Sequence, residues 1–256
     1  MNIRYADLVS DLTIDCKDNG VCFQVKDRLD KIKSLLEGGL YKLVEVGDLS
    51  LVYARGDVAP EEYKTLVSTH IDCVYSRCFS EEIDDRYWMG TFDNSATNAA
   101  VIDLMLQGVL DDSVLIAFTG DEEKDSKGAV EVMRYLSGLS CEIDHAVVLD
   151  VTNEGWEDEA MFTIENDRGF DILAGFQIVS LLQESGYPCN FLHKAEPDET
   201  WEYGKGLPDL LPPIPCLSLC LPVDGDMHGE DGVRLRKDSI PAYQAILRKL
   251  ANVLFT

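Results

Sequence analysis

From residue 65 onward, short apolar runs alternate with helical patterns, and this alternation constrains the fold more than any other feature of the sequence. Helical spacing covers residues 94–108, 128–139, 170–184 and 240–254, and strand-like runs cover residues 65–69, 113–118, 146–149 and 214–221. Nearly continuous apolar strands are typical of sheets covered on both faces. We therefore predict an α/β fold, a three-layer sandwich in which helices flank a mostly parallel, mixed, doubly wound sheet.

The first sixty residues are predicted to be helical and hairpin framework. Apolar side chains roughly follow helical spacing up to Gly38 and Gly39, namely Val21, Phe23, Val25, Leu29, Ile32, Leu35 and Leu36. Two β-rich runs at residues 41–46 and 49–54 flank Gly47-Asp48, which predicts a hairpin. Because no linker or repeat divides the chain, we predict one domain over residues 1–256, with its core in 65–254.

The charge balance excludes several classes of partner. The chain has 47 acidic and 22 basic residues, a formal net charge of −25. Nucleic acid and anionic membranes require clustered cations, so we expect neither as a partner. The sequence has no apolar run of transmembrane length, no visible signal peptide, and eight cysteines without a Cys-x-x-Cys pair. We therefore expect a reduced, cytoplasmic protein.

Side chains capable of catalysis follow two of the predicted strands. His70 and Asp72 project to the same side as the chain leaves a strand, so His70 can ligate a metal while Asp72 orients its imidazole. Glu122 and Glu123 point differently after the next strand, so Glu123 can bind metal while Glu122 acts as a general base toward a water. The plainer alternatives are an ordinary strand-end histidine and a solvated acidic loop.

Three further positions extend this set. Asp93 precedes a predicted helix, where a carboxylate can bridge two metal ions, although Asp93 or Asn94 can equally cap the helix. Asp150 directly follows four apolar residues, and burying it requires a cation or strong donors. His228 lies in a polar loop after the last apolar strand, where an exposed loop histidine is the alternative. Two histidines and three carboxylates suit zinc, so we predict two divalent metal ions per chain, with zinc as the metal.

The order His-x-Asp, Asp-Asn, Glu-Glu, Asp, His resembles the co-catalytic di-zinc aminopeptidases (family 28 metallopeptidases) and their clan relatives. The resemblance covers residues 70–228 and implies a zinc-peptidase-like catalytic domain with a cis peptide bond after the bridging aspartate. It implies a role for seven side chains: the ligand pair His70 and Asp150, the ligand pair Glu123 and His228, the bridging Asp93, the general base Glu122 and the orienting carboxylate Asp72.

Spacing distinguishes among these relatives. His70 and Asp93 are 23 positions apart, too few for the extra domain of the large tetrahedral aminopeptidases. Asp150 and His228 are 78 positions apart, too few for the dimerisation domain of the clan's deacylases. The compact form that remains favours a metal-dependent exopeptidase, an aminopeptidase that hydrolyses small peptides with a water shared by two metals.

Other functions of the same clan stay open at this point. An amide deacylase, a carboxypeptidase and a glutaminyl cyclase use similar ligands, and an inactive member can serve as a binding module. Candidates for substrate contact are Tyr203 and Arg168, as donors toward the oxyanion, and Glu154, toward an α-ammonium group. The sequence leaves the oligomeric state open.

Overall fold

A computed structural model of the chain describes residues 5–14, 25–193 and 198–253. The helices in this part of the chain are α1 (Tyr5–Leu12), α2 (Lys26–Leu36), α3 (Ser95–Gln107), α4 (Lys127–Ser137), α5 (Ile172–Ser185), α6 (Glu199–Lys205) and α7 (Ser239–Asn252), with a 3-10 helix at Pro60–Glu62. The strands are β1 (Tyr41–Val46), β2 (Ser50–Arg55), β3 (Thr65–His70), β4 (Ser80–Glu82), β5 (Tyr87–Gly90), β6 (Val114–Thr119), β7 (His145–Thr152), β8 (Phe162–Arg168), β9 (Cys189–Leu192), β10 (Cys216–Gly225) and β11 (Val233–Arg236).

These eleven strands form one mixed sheet in the order β1-β2-β6-β3-β7-β10-β11-β5-β4, with β8 pairing both β10 and β9. The four central strands, β6, β3, β7 and β10, run parallel to one another. The outer pairs β1–β2, β4–β5 and β10–β11 are antiparallel. The predicted α/β fold with a mixed sheet is confirmed, and its parallel part lies at the centre, where the polar strand ends were expected.

Successive side chains of the central strands enter opposite layers, as the two-residue period of a strand requires. Leu66 and Val148 pack with α4 on one face, whereas Val67 and Leu149 pack with the larger helical layer formed around α3 and α7. Both faces of the parallel strands are therefore buried, which accounts for their nearly continuous apolar sequences.

The long periodic elements were predicted close to their observed limits, whereas the short ones were not. The predicted hairpin is β1–β2, and all four predicted helices beyond residue 65 are present. The elements that the sequence pattern did not predict are short or follow no clear period, namely α1, α6, β4, β5, β8, β9, β11 and the 3-10 helix. Val21, Phe23 and Leu254, predicted to be helical, lie outside the described residues. No helix of the described residues is long and apolar enough to span a membrane.

Candidate metal centre

The parallel strands bring the predicted ligands to one edge of the sheet. His70 is the last residue of β3 and lies opposite Thr119, the last residue of β6, so the turn carrying Glu122 and Glu123 begins beside it. Asp150 was expected just after its strand but lies inside β7, which continues to Thr152. The strands therefore deliver ligands from neighbouring positions, as is typical of ligand crevices in open α/β sheets.

Asp93 lies between the two histidines. Its Oδ1 is 3.1 Å from Nε2 of His70, and its Oδ2 is 3.5 Å from Nε2 of His228. The second carboxylate beside His70 is Asp150, at 3.4 Å, and the second beside His228 is Glu123, at 3.5 Å. The side chains form three groups whose ligand atoms lie within 4.8 Å of one another: His70 with Asp93 and Asp150, Asp93 with Glu123 and His228, and His70 with Glu122 and Glu123. The first two groups are triads that share Asp93.

Asp72 holds the turn that carries the two glutamates. Its Oδ1 accepts the backbone N–H of Glu122 and its Oδ2 accepts that of Glu123, both at 3.2 Å. The same Oδ1 is 3.6 Å from Nδ1 of His70. One buried carboxylate thus positions the histidine and both glutamates, a wider role than the orientation of the imidazole alone.

Two asparagines hold the backbone around the ligands. Asn94 donates through Nδ2 to the carbonyl of Leu149 at 2.7 Å, and the Asp93–Asn94 peptide bond is cis. Asn98 donates to the carbonyl of His70 at 2.8 Å. Asn94 occupies the N-cap position of α3, but its side chain makes no capping hydrogen bond. The plain helix-cap alternative therefore does not describe this asparagine.

The remaining plain alternatives fit less well than a shared centre. The Glu123 side chain is only 6% exposed, so it does not belong to a solvated acidic loop. The His228 side chain is 58% exposed, yet its Nε2 faces the carboxylates of Asp93 and Glu123. A histidine that is partly exposed to solvent while its Nε2 faces two carboxylates is suited to ligate a metal at the entrance of the site.

The electrostatics show a surplus of negative charge. Burial, reinforced by the nearby carboxylates, raises the pKa of Glu122 to about 9 and that of Glu123 to about 8. The hydrogen bond to Asp93 raises the pKa of His228 to about 9. Burial also raises the pKa of Asp93, but the opposing contacts with His228 and His70 dominate and lower it to about 2. Glu122, Glu123 and His228 therefore hold protons at neutral pH unless a cation compensates the charge, whereas Asp93 is ionised.

This donor set fits divalent cations. Oδ1 of Asp93 and Oε1 of Glu123 are buried without a hydrogen-bond partner, although each lies among the clustered ligands. Imidazole nitrogen and carboxylate oxygen are ligands that zinc accepts. A cation in each triad would replace the protons that the cluster otherwise retains. The structure thus brings together all seven residues of the predicted centre; the assignment of each to a metal or catalytic role remains a proposal.

A cavity of about 320 Å³ opens over these residues. Five further polar residues line it that were not identified from the sequence as site residues: Lys124, Thr152, the β8 residues Glu165 and Asn166, and Asp198, which caps α6. Nδ2 of Asn166 donates to Asp198 at 2.7 Å. In residues 162–168 only Phe162 and Ile164 are apolar, so the sequence contains little signal for β8, and no local pattern places Asp198 beside the cavity.

The structure places Tyr203 and Arg168, the predicted substrate contacts, away from the cavity. Tyr203 is fully buried, and its hydroxyl lies 2.8 Å from Oγ of Ser68. The guanidinium of Arg168 donates to Thr200 and lies 5.3 Å from the ring centroid of Trp201. Neither residue lines the cavity, because their side chains are engaged in these contacts elsewhere.

Glu154 is also absent from the cavity lining: it is exposed in the turn after β7, where its N–H donates to Oγ1 of Thr152. A buried carboxylate does lie near the centre. Glu199 accepts a hydrogen bond from Ser68 at 3.0 Å, and burial raises the pKa of Glu199 to about 7. Its charge also contributes to the raised pKa of Glu122.

Comparison with known proteins finds similarity in structure alone. No protein-family model and no curated protein sequence matches the chain. An aminopeptidase from the archaeon Desulfurococcus kamchatkensis is 11% identical, with a TM-score of 0.76 over 97% of this chain and 94% of that one. A TET aminopeptidase from Thaumarchaeota archaeon SCGC AB-539-E09 is 12% identical, with a TM-score of 0.76 over 98% and 97%. A Thermotoga maritima structure named as an endoglucanase is 14% identical, with a TM-score of 0.66 over 95% and 96%.

At these identities the similarity shows that the chain shares the fold of these enzymes. It does not confirm the predicted membership of family 28. The short spacing between His70 and Asp93 is filled by a loop and the strands β4 and β5, with no additional domain between the two ligands. Two of these similar structures are named as aminopeptidases and one as an endoglucanase, so the shared fold does not define the activity and the function must be argued from the chemistry of the site.

Proposed function

We propose that the chain is a metal-dependent exopeptidase, an aminopeptidase that removes N-terminal residues from small peptides. The observation that carries this proposal is the position of Asp93, whose two oxygens face two different histidines within two joined triads. Such sharing suits a pair of cations and is not needed for a single one. The aminopeptidase names of two structural neighbours support the same function.

His70 and Asp150 would hold one divalent cation, Glu123 and His228 the other, and Asp93 would contact both. When bound, the cations would polarise the scissile carbonyl and make a nearby water more acidic. Asp72 would keep both glutamates in place, since it accepts their backbone N–H groups, and its Oδ1 faces Nδ1 of His70 at 3.6 Å.

Glu122 is proposed as the general base. It lines the cavity beside His70 and Glu123, with ligand atoms of all three within 4.8 Å of one another, and it lies outside the two triads that share Asp93. Its carboxylate would accept a proton from the attacking water and later deliver it to the departing amine. Burial and the nearby carboxylates raise the pKa of Glu122 to about 9, and bound cations would lower that pKa and so favour the ionised carboxylate that a base requires.

The charge of the cavity favours a substrate with a free amino terminus. Beyond the proposed centre, Glu165 and Asp198 add acidic groups, and Lys124 is the one basic side chain apart from histidine among the described residues that line the cavity. A carboxypeptidase would need a cation to hold the terminal carboxylate, and Lys124 is exposed at the surface. An α-ammonium group is therefore the better complement.

A substrate panel with and without a metal chelator tests the proposal. We expect turnover of aminoacyl substrates, no turnover of N-acylated or carboxyl-terminal substrates, and complete loss of activity with chelator. A soluble cellulose derivative should remain intact, which separates the proposal from the endoglucanase named among the neighbours. Activity that persists after the metal is removed, or activity on N-acyl substrates alone, would refute the assignment.

A further inference from the structure

The loop between β3 and β4, residues 71–79, joins the parts of the candidate metal centre, and we refer to it as the bracing loop. The loop contacts the three segments that carry the other proposed ligands. Asp72 accepts the N–H groups of Glu122 and Glu123, and the N–H of Phe79 donates to Oγ1 of Thr91, two residues before Asp93. On either side of His228, the hydroxyl of Tyr75 donates to the carbonyl of Met227 and that of Ser76 donates to Glu230. A change within this loop would therefore reach the whole centre.

Two cysteines lie within the bracing loop. The Sγ atoms of Cys73 and Cys78 are 4.0 Å apart, and the residues are 0% and 9% exposed. Buried Arg28 donates through Nη2 to Cys73 at 3.0 Å and to Cys78 at 3.5 Å, and through Nη1 to the carbonyl of Ile71 at 2.6 Å. A guanidinium thus holds both sulfurs and the start of the same loop.

This arrangement gives the two sulfurs different chemistry. The charge of Arg28 stabilises negative charge on the nearer sulfur, that of Cys73. The hydrogen bond with Cys73, together with burial, raises the pKa of the Cys78 thiol. The raised pKa favours the protonated form of Cys78, which is also the more exposed of the two cysteines.

We propose that Cys73 and Cys78 form a reversible disulfide that responds to hydrogen peroxide and loosens the bracing loop. Sγ of Cys73, whose negative charge Arg28 stabilises, attacks one peroxide oxygen. The O–O bond breaks, and the Cys73 proton leaves with the departing hydroxide as water, giving a sulfenic acid on Cys73. Sγ of Cys78 then attacks that sulfur, the S–O bond breaks, and the hydroxide leaves with the Cys78 proton as a second water. Two thiols and one peroxide become one disulfide and two waters.

Disulfide formation would change the loop because a disulfide brings the sulfurs to about 2 Å from each other. The sulfurs start 4.0 Å apart, so one or both must leave the position in which Arg28 contacts them. Cys73 is the residue after Asp72, whose carboxylate positions the two glutamates. Oxidation is therefore expected to weaken zinc binding at least about 10-fold, as loss of a positioning contact does.

Peptide mapping tests the disulfide directly, because Arg77 lies between the two cysteines. Trypsin separates them into peptides 65–77 and 78–86, which remain together only through a disulfide. The full chain is treated with peroxide, alkylated and digested without reductant. We expect one linked pair that has lost two hydrogen atoms and that dithiothreitol separates. Cys78→Ser should abolish the link, whereas the control Cys189→Ser, at a half-buried cysteine outside the loop, should retain it.

Zinc affinity, measured by competition with a chromophoric chelator, tests the consequence. We expect it to fall on oxidation, to recover with dithiothreitol, and not to respond to peroxide in Cys78→Ser. If the peptides are not linked, or if Cys73 is joined to another cysteine, the proposed Cys73–Cys78 disulfide is wrong. If the linked protein binds zinc with unchanged affinity, the proposed loosening of the bracing loop is wrong. The peptide map detects the disulfide without zinc. A protein that never binds zinc would therefore refute the proposed metal centre without deciding whether the disulfide forms.

Discussion

Asp72→Ala is the substitution whose effect the structure defines most closely. Asp72 is buried, and its two oxygens accept the backbone N–H groups of Glu122 and Glu123 at 3.2 Å each. Losing the acceptor of a partly buried donor costs about 1 kcal/mol or more, so the two losses together cost about 2 kcal/mol of unfolding free energy. The imidazole of His70 also loses the carboxylate that lies 3.6 Å from its Nδ1.

We expect Asp72→Ala to weaken zinc affinity more than its loss of unfolding free energy alone would suggest. Removal of a group that orients a metal ligand weakens metal binding about 10–100-fold, and here one removal affects a histidine and a glutamate together. Asp72→Asn should be intermediate, because its amide oxygen can still accept one of the two N–H groups while its amide nitrogen cannot accept the other.

Urea unfolding and a competitive zinc titration measure the two effects separately. Asp171→Ala is the matched control, since Asp171 also accepts a backbone N–H, from Ala174 at 2.8 Å at the start of α5, but lies outside the cavity. The control should lose about 1 kcal/mol of stability and keep its zinc affinity. If Asp72→Ala and Asp171→Ala bind zinc equally well, Asp72 does not position the centre and the reasoning is refuted.

Three other substitutions test separate parts of the site. Asp93→Ala should release at least one ion per chain by elemental analysis, because Asp93 is the member that the two triads of described residues have in common; retention of two ions would contradict this. Glu122→Gln should lower kcat about 10²-fold or more at nearly unchanged metal content, and full activity would exclude Glu122 as the base. Glu199 has its pKa raised by burial to about 7, so in chelator-treated protein the native state keeps a proton that the unfolded state loses between about pH 4.5 and 7. The unfolding free energy of the wild type therefore falls as the pH rises through that window. At pH 8 the unfolding free energy of Glu199→Gln should exceed that of the wild type by up to about 3 kcal/mol, whereas at pH 4.5 it should not. Equal urea midpoints at pH 8 would contradict this prediction.

The sequence was sufficient to predict that His70, Glu122, Glu123 and Asp150 lie together, because parallel strands place their carboxyl ends side by side. Each of β3, β6 and β7 was visible as an apolar run, and the polar residue at or near its end needed no tertiary information. Even the departure at Asp150 is small, since β7 extends only to Thr152.

The rest of the site depended on contacts that no local pattern encodes. Tyr203 follows an unpatterned stretch, and only the packing of α6 against the sheet shows that its ring is buried beside Ser68. Glu165 lies on β8, whose central residues are polar and so lack the apolar run by which other strands were found. The approach of Arg28 to Cys73 joins residues 45 positions apart and is visible only in the folded chain.

Anomalous diffraction at the zinc absorption edge, from crystals of the zinc-loaded protein, tests the central claim most directly. We predict two separate peaks in the cavity, one beside His70 and Asp150 and one beside Glu123 and His228, with Asp93 next to both. An empty cavity, or zinc bound only at surface carboxylates, would contradict the two-metal site on which the proposed peptidase activity depends.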